Sequence, residues 1–541
     1  TGSVSAIDGA EIAAKPASDV LTALQGEMPG VAVLRSSGQP GSETSGVRIR
    51  GFSSANDTKA LVLIDGLEGD MTLVNPNDIA SVSVLKDAAA AAIYGARAAA
   101  GVILITTKSG SEGKATVSYN GYFGVNTPGN MPERLPAWEE QNFINISRIN
   151  ESGNPEWNPE MTSWVGNPNF NYRPNKSNGR WDLFQATNWV AEGTKDYTTQ
   201  QSHSLSVSGG SKSLNYIVST GYYTKNGILK YGPDKNDRYN FRMKLNSEIN
   251  DYLSLGFQTS YNGSFVNTNP YGATGILAAL YRSRGRQPIY NPEEDINLNP
   301  YNGDLQVNPI DLMKNGGISK NDYQQYTGRG EMTIKNVIKG LELKLTASRQ
   351  AGYYTSEVDK RYLVWYDRLG KTVRSQANNP NSLAKTKNGD YHDTFEALLT
   401  YGLKLGKHNL NALAGSTFEQ YKKDEISATA LNMNSNDFFS FGYYDSSVAG
   451  NTTLSDKIES WAMMSYFGRI NYSFDDKYLF EANVRYDGSS RVAPQYRWQA
   501  FPSFSAAWRV NQEKWFNVSF IDNLKLRASW GQLGNGAVLG L

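Results

Sequence analysis

The chain has 541 residues, with 53 Lys and Arg against 52 Asp and Glu, so its formal net charge is +1 and exerts no global pull toward nucleic acid or an anionic surface. With 39% hydrophobic and only 19% charged residues it fits neither a disordered solvating chain nor an ordinary soluble enzyme with a heavily charged exterior. Cysteine is absent, which excludes a disulfide scaffold, a cysteine nucleophile, a zinc finger and an iron–sulfur cluster.

Residues 1 to 114 read as a small domain of mixed α/β character. Ser18 and Asp19 precede Leu21, Leu24 and Met28 at helical spacing, and Val31–Leu34, Gly46–Arg50, Leu61–Ile64 and Ser81–Leu85 read as short strands. Ala88–Thr106 is the one stretch with the look of a membrane helix. Arg97 near its middle would cost about 2.5–3.5 kcal/mol on insertion, and Gly95 and Gly101 interrupt it. We read it as an Ala-rich helix capped by Asp87 and stopped by Gly95, followed by a buried strand from Val102.

After Lys114 the period changes to two. Leu253, Leu255, Phe257, Thr259 and Tyr261 alternate with Ser254, Gly256, Gln258 and Ser260. Tyr239, Phe241 and Met243 alternate with Asn240, Arg242 and Lys244, and Phe480, Ala482 and Val484 with Glu481, Asn483 and Arg485. Such strands suit a soluble sandwich with its apolar face inward or a membrane barrel with that face toward lipid, and alternation does not choose between them. Three features favour the membrane. Segments run to about ten residues or more, the length that crosses a bilayer at a tilt. Aromatics gather at segment ends, as at Trp365, Tyr366, Phe438, Phe439, Phe441, Trp461, Tyr478, Trp498, Phe501, Trp515 and Phe516, in the manner of an interfacial girdle. Tight turns (Gly209–Ser211, Glu248–Tyr252) alternate with long Asn/Pro/Gly-rich excursions (Pro128–Thr198, Asn262–Tyr323). About thirteen strands are expected between Ala115 and Trp530, and the sequence reads as truncated after them.

Motifs of catalysis are missing: there is no G-x-S-x-G, P-loop or G-x-G-x-x-G, and His203, His392 and His408 lie far apart. The expectation is that the protein is no enzyme and carries no cofactor. Asp295, Asn297 and Asn299 have the first spacings of a calcium loop, but Pro300 stands where the turn needs Gly, so calcium in this loop is a weak candidate. Arg48 and Arg50 share one face of a strand whose other face is Val47 and Ile49. If buried, they need carboxylate partners, and Glu481 on the polar face of its strand is the candidate.

The first domain resembles the plug of TonB-dependent outer-membrane transporters of the SusC/RagA type. The residues that carry this are Gly46–Gly51 (GVRIRG), Leu63–Gly66 (LIDG), Asn75-Pro76 with Asp78-Ile79, and Val84–Lys108 (VLKDAAAAAIYGARAAAGVILITTK). Tyr478–Arg491, Phe501–Val510 and Asn523–Asn535 are similar to barrel segments of the same family. Ala89 and Ala100 depart from the family's usual Ser and Asn. The resemblance implies a plug (1–114) inside a transmembrane antiparallel β-barrel of twenty-two strands, of which 115–541 supplies the N-terminal part. It also implies a missing signal peptide and TonB-box segment, and a missing C-terminal barrel half.

It further implies active import through a bacterial outer membrane, driven by TonB of the inner-membrane energising complex. Partnership with a SusD-type surface lipoprotein follows, often as a dimer of such pairs. The cargo is then an oligosaccharide or, alternatively, a peptide. Long loops rich in Tyr, Trp, Asn and Asp suit stacking on sugar faces and bonding hydroxyls, and Trp157, Trp164, Trp181 and Tyr271 are the candidate ligand contacts. A passive porin or adhesin and a β-rich glycan hydrolase are the rival classes.

Overall fold

A computed structural model describes residues 4–534 except 36, 43, 50, 52–59, 87–93, 95–97, 99, 130, 176–179, 291–307, 367–372, 517 and 519. The first domain is built on a five-stranded mixed sheet and a hairpin. Its strands are β1 (Val4–Asp8), β2 (Val31–Arg35), β3 (Thr44–Ile49), β4 (Leu61–Ile64), β5 (Leu67–Glu68), β6 (Ile79–Leu85) and β7 (Val102–Thr107). The sheet order is β1-β6-β7-β4-β5, with β4 and β7 parallel, while β2 and β3 pair separately. Ile12, Val20, Leu24, Ile79, Val82, Val84, Ile103 and Ile105 form its core, each at most 2% exposed.

Asp19 caps a helix as its position suggests, accepting from the Thr22 amide at 2.7 Å, and Leu21, Leu24 and Met28 are all buried. The helix nevertheless spans only Val20–Ala23, because Gly26 at φ +81° turns the chain away before a second helical turn can form. The expected Ala-rich helix falls mostly on residues outside those described. The strand after it stands where it was expected.

The second region is one antiparallel sheet of thirteen strands. In chain order they are β8 (Gly113–Asn126), β11 (Thr198–Gly210), β12 (Leu214–Asn226), β13 (Lys235–Asn250), β14 (Leu253–Thr268), β15 (Gly317–Lys335), β16 (Leu341–Lys360), β19 (Ser382–Leu405), β20 (His408–Leu431), β21 (Thr452–Phe474), β22 (Tyr478–Ser489), β23 (Trp498–Arg509) and β24 (Lys525–Gly531). Each pairs only with its chain neighbours, from β8 at one end to β24 at the other. Two hairpins, β9 (Tyr172–Asn175) with β10 (Arg180–Leu183) and β17 (Leu363–Tyr366) with β18 (Val373–Ala377), belong to the connecting loops.

The faces of this sheet are inverted relative to a soluble protein. Phe241, Leu255, Phe257, Phe395, Leu399, Ile470, Phe480, Val484 and Phe504 are 41–51% exposed. Their polar neighbours Arg242, Gln258, Asn262, Ser465, Asn483 and Ser503 are at most 8% exposed. A sheet with its apolar side out and its polar side wrapped around another domain is a barrel wall facing lipid, which decides the question that alternation left open.

Of the aromatics expected in the girdle, Tyr478 and Trp498 face outward and stack on Trp508 and on Tyr466 and Tyr486, while other members differ from the expectation. Outward-facing Tyr119, His203, Tyr222 and Tyr239 form a row of rings across β8 to β13, with successive centroids 5.2–6.5 Å apart. Tyr261, Tyr326 and Tyr353 continue it over β14 to β16. Trp365, expected in the girdle, is fully buried among loops, Phe439 and Phe441 pack on Leu383 and Met433, and Trp461 faces inward. Sequence position marks an aromatic at a strand end but does not say which way its ring points.

The strands are also longer than a bilayer requires, with 24 residues in β19 and β20. Above Phe395 and Phe418 their outward face turns polar. There Arg349 donates twice to Asp393, at 2.6 and 2.7 Å, and Gln420 joins at 2.9 Å. The ladder thus continues beyond the apolar band as a wall standing in water.

Connections at one end of the meander are short, as between Leu405 and His408 or Asn250 and Leu253, apart from residues 510–524 between β23 and β24. Those at the other end are long. Their apolar residues pool into a shared core: Trp189, Leu229, Ile276, Leu280, Ile310, Met313 and Trp365 come from four different loops and are buried together. The long loops therefore form a packed layer over that end.

Candidate functional site

Two inward surfaces carry the site: the seam where the first domain meets the wall, and the exposed inner wall beside it. At the seam, β4 and β5 are joined by Asp65 and Gly66 alone, both at positive φ (48° and 89°), the two-residue turn for which Asp-Gly is suited. That turn projects the Asp65 carboxylate onto the wall. It accepts from Arg242 Nη1 on β13 at 3.0 Å, from Gln258 Nε2 on β14 at 2.8 Å, and from the Thr107 hydroxyl and amide at 2.6 and 2.9 Å. Arg329 on β15 donates to the Asp65 carbonyl. The Asp65 and Arg242 side chains are each 7% exposed, so this is a desolvated ion pair held by hydrogen bonds on every side. Burial alone would push the Asp65 carboxyl up; Lys244, the two Thr107 bonds and Arg242 outweigh it and hold the group below the ordinary carboxylate value. Asp78 nearby goes the other way, because burial dominates over the help of Arg242, Ser219 and Lys108 and raises it.

Further contacts run along the same seam. Arg238 Nη1 donates to the Thr72 carbonyl at 2.5 Å, Asn240 Nδ2 to the Leu73 carbonyl at 2.6 Å, and Asn75 Nδ2 to Ser204 Oγ at 3.0 Å. Gln39 reaches the loop layer, its Oε1 accepting from the Ala273 amide at 3.0 Å.

On the inner wall, β15 to β21 present an aromatic and polar panel. Tyr421 and Trp461 stack with centroids 5.7 Å apart, and His392 stands edge-on to Trp461 at 5.4 Å. Three of its cations are paired within the panel, His392 with Glu419 at 3.2 Å, Arg491 with Glu459 at 3.1 Å, and Lys423 with Glu425 at 2.7 Å, while Asp390 beside Tyr323 and Tyr421 forms no ion pair among the described residues. Arg491 also lies over the Trp461 ring at 4.9 Å. Tyr354 donates to Asn321 at 2.9 Å and Gln325 to Tyr323 at 3.2 Å, which leaves a surface rich in hydroxyls and amides.

The residues expected from sequence are distributed differently. Val47 and Ile49 are buried, as alternation requires, and Arg48 is half-buried opposite Ala32 in the β2–β3 hairpin. Arg50 lies outside the described residues. Glu481 faces inward and accepts from Asn483 at 3.0 Å. Trp157 (8% exposed) packs on Phe184 with Arg286 above its ring, and Trp181 (3% exposed) packs edge-on against Tyr172, so both serve the loop layer's own core. Trp164, half-buried, stacks on Phe170, and Tyr271 donates to Asn378. Asp295, Asn297 and Asn299 lie outside the described residues. What sequence reasoning missed was Asp65, although an Asp-Gly pair after an apolar strand was a readable turn signal.

Comparison with known proteins follows the same division. Residues 1–102 match the family model for the TonB-dependent Receptor Plug Domain, and residues 278–536 that for the TonB dependent receptor-like beta-barrel. TonB-dependent receptor P26 of Formosa agariphila is 28% identical over 557 aligned positions, covering 99% of this chain and 52% of its own length. TonB-dependent receptor SusC of Bacteroides thetaiotaomicron is 28% identical with the same shares, 99% and 52%. The chain thus spans about half the length of the curated relatives it matches. Among solved structures, the RagAB peptide importer in its closed-closed state shares the fold with a TM-score of 0.81 at 24% identity, over 99% of this chain and 60% of its own. The ferric enterobactin receptor PfeA of Pseudomonas aeruginosa gives 0.53 at 15% identity, over 94% and 60%.

Proposed function

Since this chain belongs to the TonB-dependent receptors, with a plug domain and barrel wall of the SusC/RagA type, we propose that the intact protein imports neutral oligosaccharides across a bacterial outer membrane. The single observation that carries the cargo class is the inner-wall panel. Its cations His392, Lys423 and Arg491 are already paired with carboxylates, so an anionic cargo gains little there. Stacked Tyr421 and Trp461 with surrounding hydroxyls and amides suit the apolar face and the rim of a sugar ring. Trp164 and Tyr271, part-exposed in the loop layer, are the ligand contacts retained there.

In this reading a SusD-type lipoprotein closes the loop end, the working unit is a dimer of such pairs, and TonB supplies the force that moves the plug. The relatives are receptors by name, and SusC is one of them. Peptide import by the same machinery is the alternative, since the structurally similar RagAB is a peptide importer. Uptake by cells that depend on this receptor, offered radiolabelled neutral oligosaccharides or mixed peptides with and without a proton-motive force, separates the two. Energy-dependent saccharide uptake supports the proposal; energy-dependent peptide uptake replaces the cargo, and energy-independent leakage replaces the transporter.

A further inference from the structure

The inner-wall panel holds one carboxylate that the protein itself leaves unmet. Gly352 of β16, Asp390 of β19, Lys423 of β20 and Glu459 of β21 stand directly across the ladder from one another. Lys423 does not reach across to Asp390; it pairs along its own strand with Glu425 at 2.7 Å. Asp390 leans the other way, into the space that Gly352 leaves open, where a Cβ on that glycine would stand 2.5 Å from Asp390 Oδ1. There the half-buried carboxylate accepts no hydrogen bond and forms no ion pair with any described residue. Beside it are Tyr323 and Tyr421, whose phenols are pushed up to about 12 by burial and then by the Asp390 charge, so both remain protonated hydroxyls. Tyr421 in turn stacks on Trp461.

An ionised carboxylate has two oxygens that only accept, so it suits a cargo group with several donors close together. An ammonium is one such group, and two neighbouring sugar hydroxyls are another. Lys423 already acts on Asp390, and Arg491 lies over the adjoining Trp461 ring, so a cationic cargo meets repulsion together with its attraction, whereas neutral hydroxyls meet none. The ring of Tyr421 beside the carboxylate offers the apolar surface on which a sugar face rests. We propose that Asp390 sets the specificity of the panel: its two oxygens accept from adjacent hydroxyls of one sugar unit lying on Tyr421, so that cargo with an unsubstituted vicinal diol is retained. This deepens the oligosaccharide reading and rests on it. A unit whose diol is blocked leaves the carboxylate without donors and is rejected for that reason. Gly352 is the positioning residue, because a side chain there displaces the carboxylate from its seat.

Asp390→Asn keeps the shape of the side chain and breaks no bond within the described protein, so the unfolding midpoint should not move. Calorimetry on the intact receptor is run with maltotriose, cellotriose, xylotriose, mannotriose, the trisaccharide of glucosamine, and triglycine. At least one neutral trisaccharide should bind, and Asp390→Asn should weaken it about tenfold or more, as expected when a hydrogen bond to a charged acceptor is lost. Gly352→Ala, which keeps the charge and moves the carboxylate, should weaken it as well. O-methylation of that trisaccharide should erase the difference between the parent and Asp390→Asn. Equal affinity of the parent and Asp390→Asn for every neutral trisaccharide that binds overturns the role of Asp390 and leaves oligosaccharide import standing. Tighter binding of the glucosamine trisaccharide than of any neutral one, lost in Asp390→Asn, overturns the diol and makes Asp390 a cation site. Binding of no saccharide, with or without binding of triglycine, overturns both readings.

Discussion

Asp65→Asn tests the anchor that seats the plug. Asn tolerates the left-handed backbone at φ 48°, so the turn survives, and it can still accept from the Thr107 amide. What is lost is the anion facing Arg242 and Gln258 in a site where both charged side chains are 7% exposed. Breaking a buried pair by removing one partner costs about 3–5 kcal/mol, chiefly because the other charge stays buried. With Arg242 keeping its bond to Thr107 Oγ1 at 3.1 Å, the lower end, about 3 kcal/mol, is expected, or about two powers of ten in the seating equilibrium. Arg242→Met should cost a similar amount, and the double variant less than the sum by about 2 kcal/mol, because the second change removes an orphaned charge.

The assay follows from composition. All 11 Trp lie beyond residue 114, and there is no native thiol. A dye on Gln25→Cys, an exposed plug position, is therefore excited by wall tryptophans only while the plug is seated, and urea titration reads the free energy. An Asp65→Asn midpoint within about 0.5 kcal/mol of the parent, or strict additivity in the cycle, would refute the reasoning.

The same titration against pH separates the two plug carboxylates. Asp65 is held below its ordinary value of 3.8, so its contribution is present above that pH and is lost as pH falls below it; Asp65→Asn should flatten that loss. Asp78 is raised above 3.8, so the seated plug loses stability as pH rises from 3.8 through the raised value, and Asp78→Asn should become progressively more favourable from pH 3.5 to 7. On the wall, Leu399→Lys on the outward face should destabilise the barrel in liposomes by about 2–4 kcal/mol, whereas Thr400→Lys, one residue on and facing in, should change it by under about 1 kcal/mol. Equal effects in thermal unfolding would reverse the assignment of faces. For the arginine pair read from sequence, we propose that Arg48→Ala with Arg50→Ala, and separately Glu481→Gln, loosens the plug and admits large antibiotics; unchanged killing in both sinks that pairing.

How much of this was legible in advance depends on the range of the interaction concerned. Period-two alternation is a local property, so the strands, their number of thirteen and the membership of each face could be read from residues such as Phe257 and Gln258 alone. The family signature in the plug likewise lies in contiguous residues. Alternation has no sign, however. Whether Phe257 faces a core or a lipid bilayer depends on what fills the space behind Gln258, and that is a plug turn 193 residues away in sequence. The partners of Asp65 on β13 and β15 are 177 and 264 residues distant, so no local pattern could single out this acid from 51 others.

The aromatics show the same limit. Trp157, Trp181 and Trp365 have the composition of ligand or interface residues, but loops that must bury their own apolar groups draw these rings into three separate local cores. Sequence determined the faces, the period and the family. Only the tertiary structure decided which face is wet, which charge is buried and which ring remains available, because burial and electrostatic partnership depend on proximity in space.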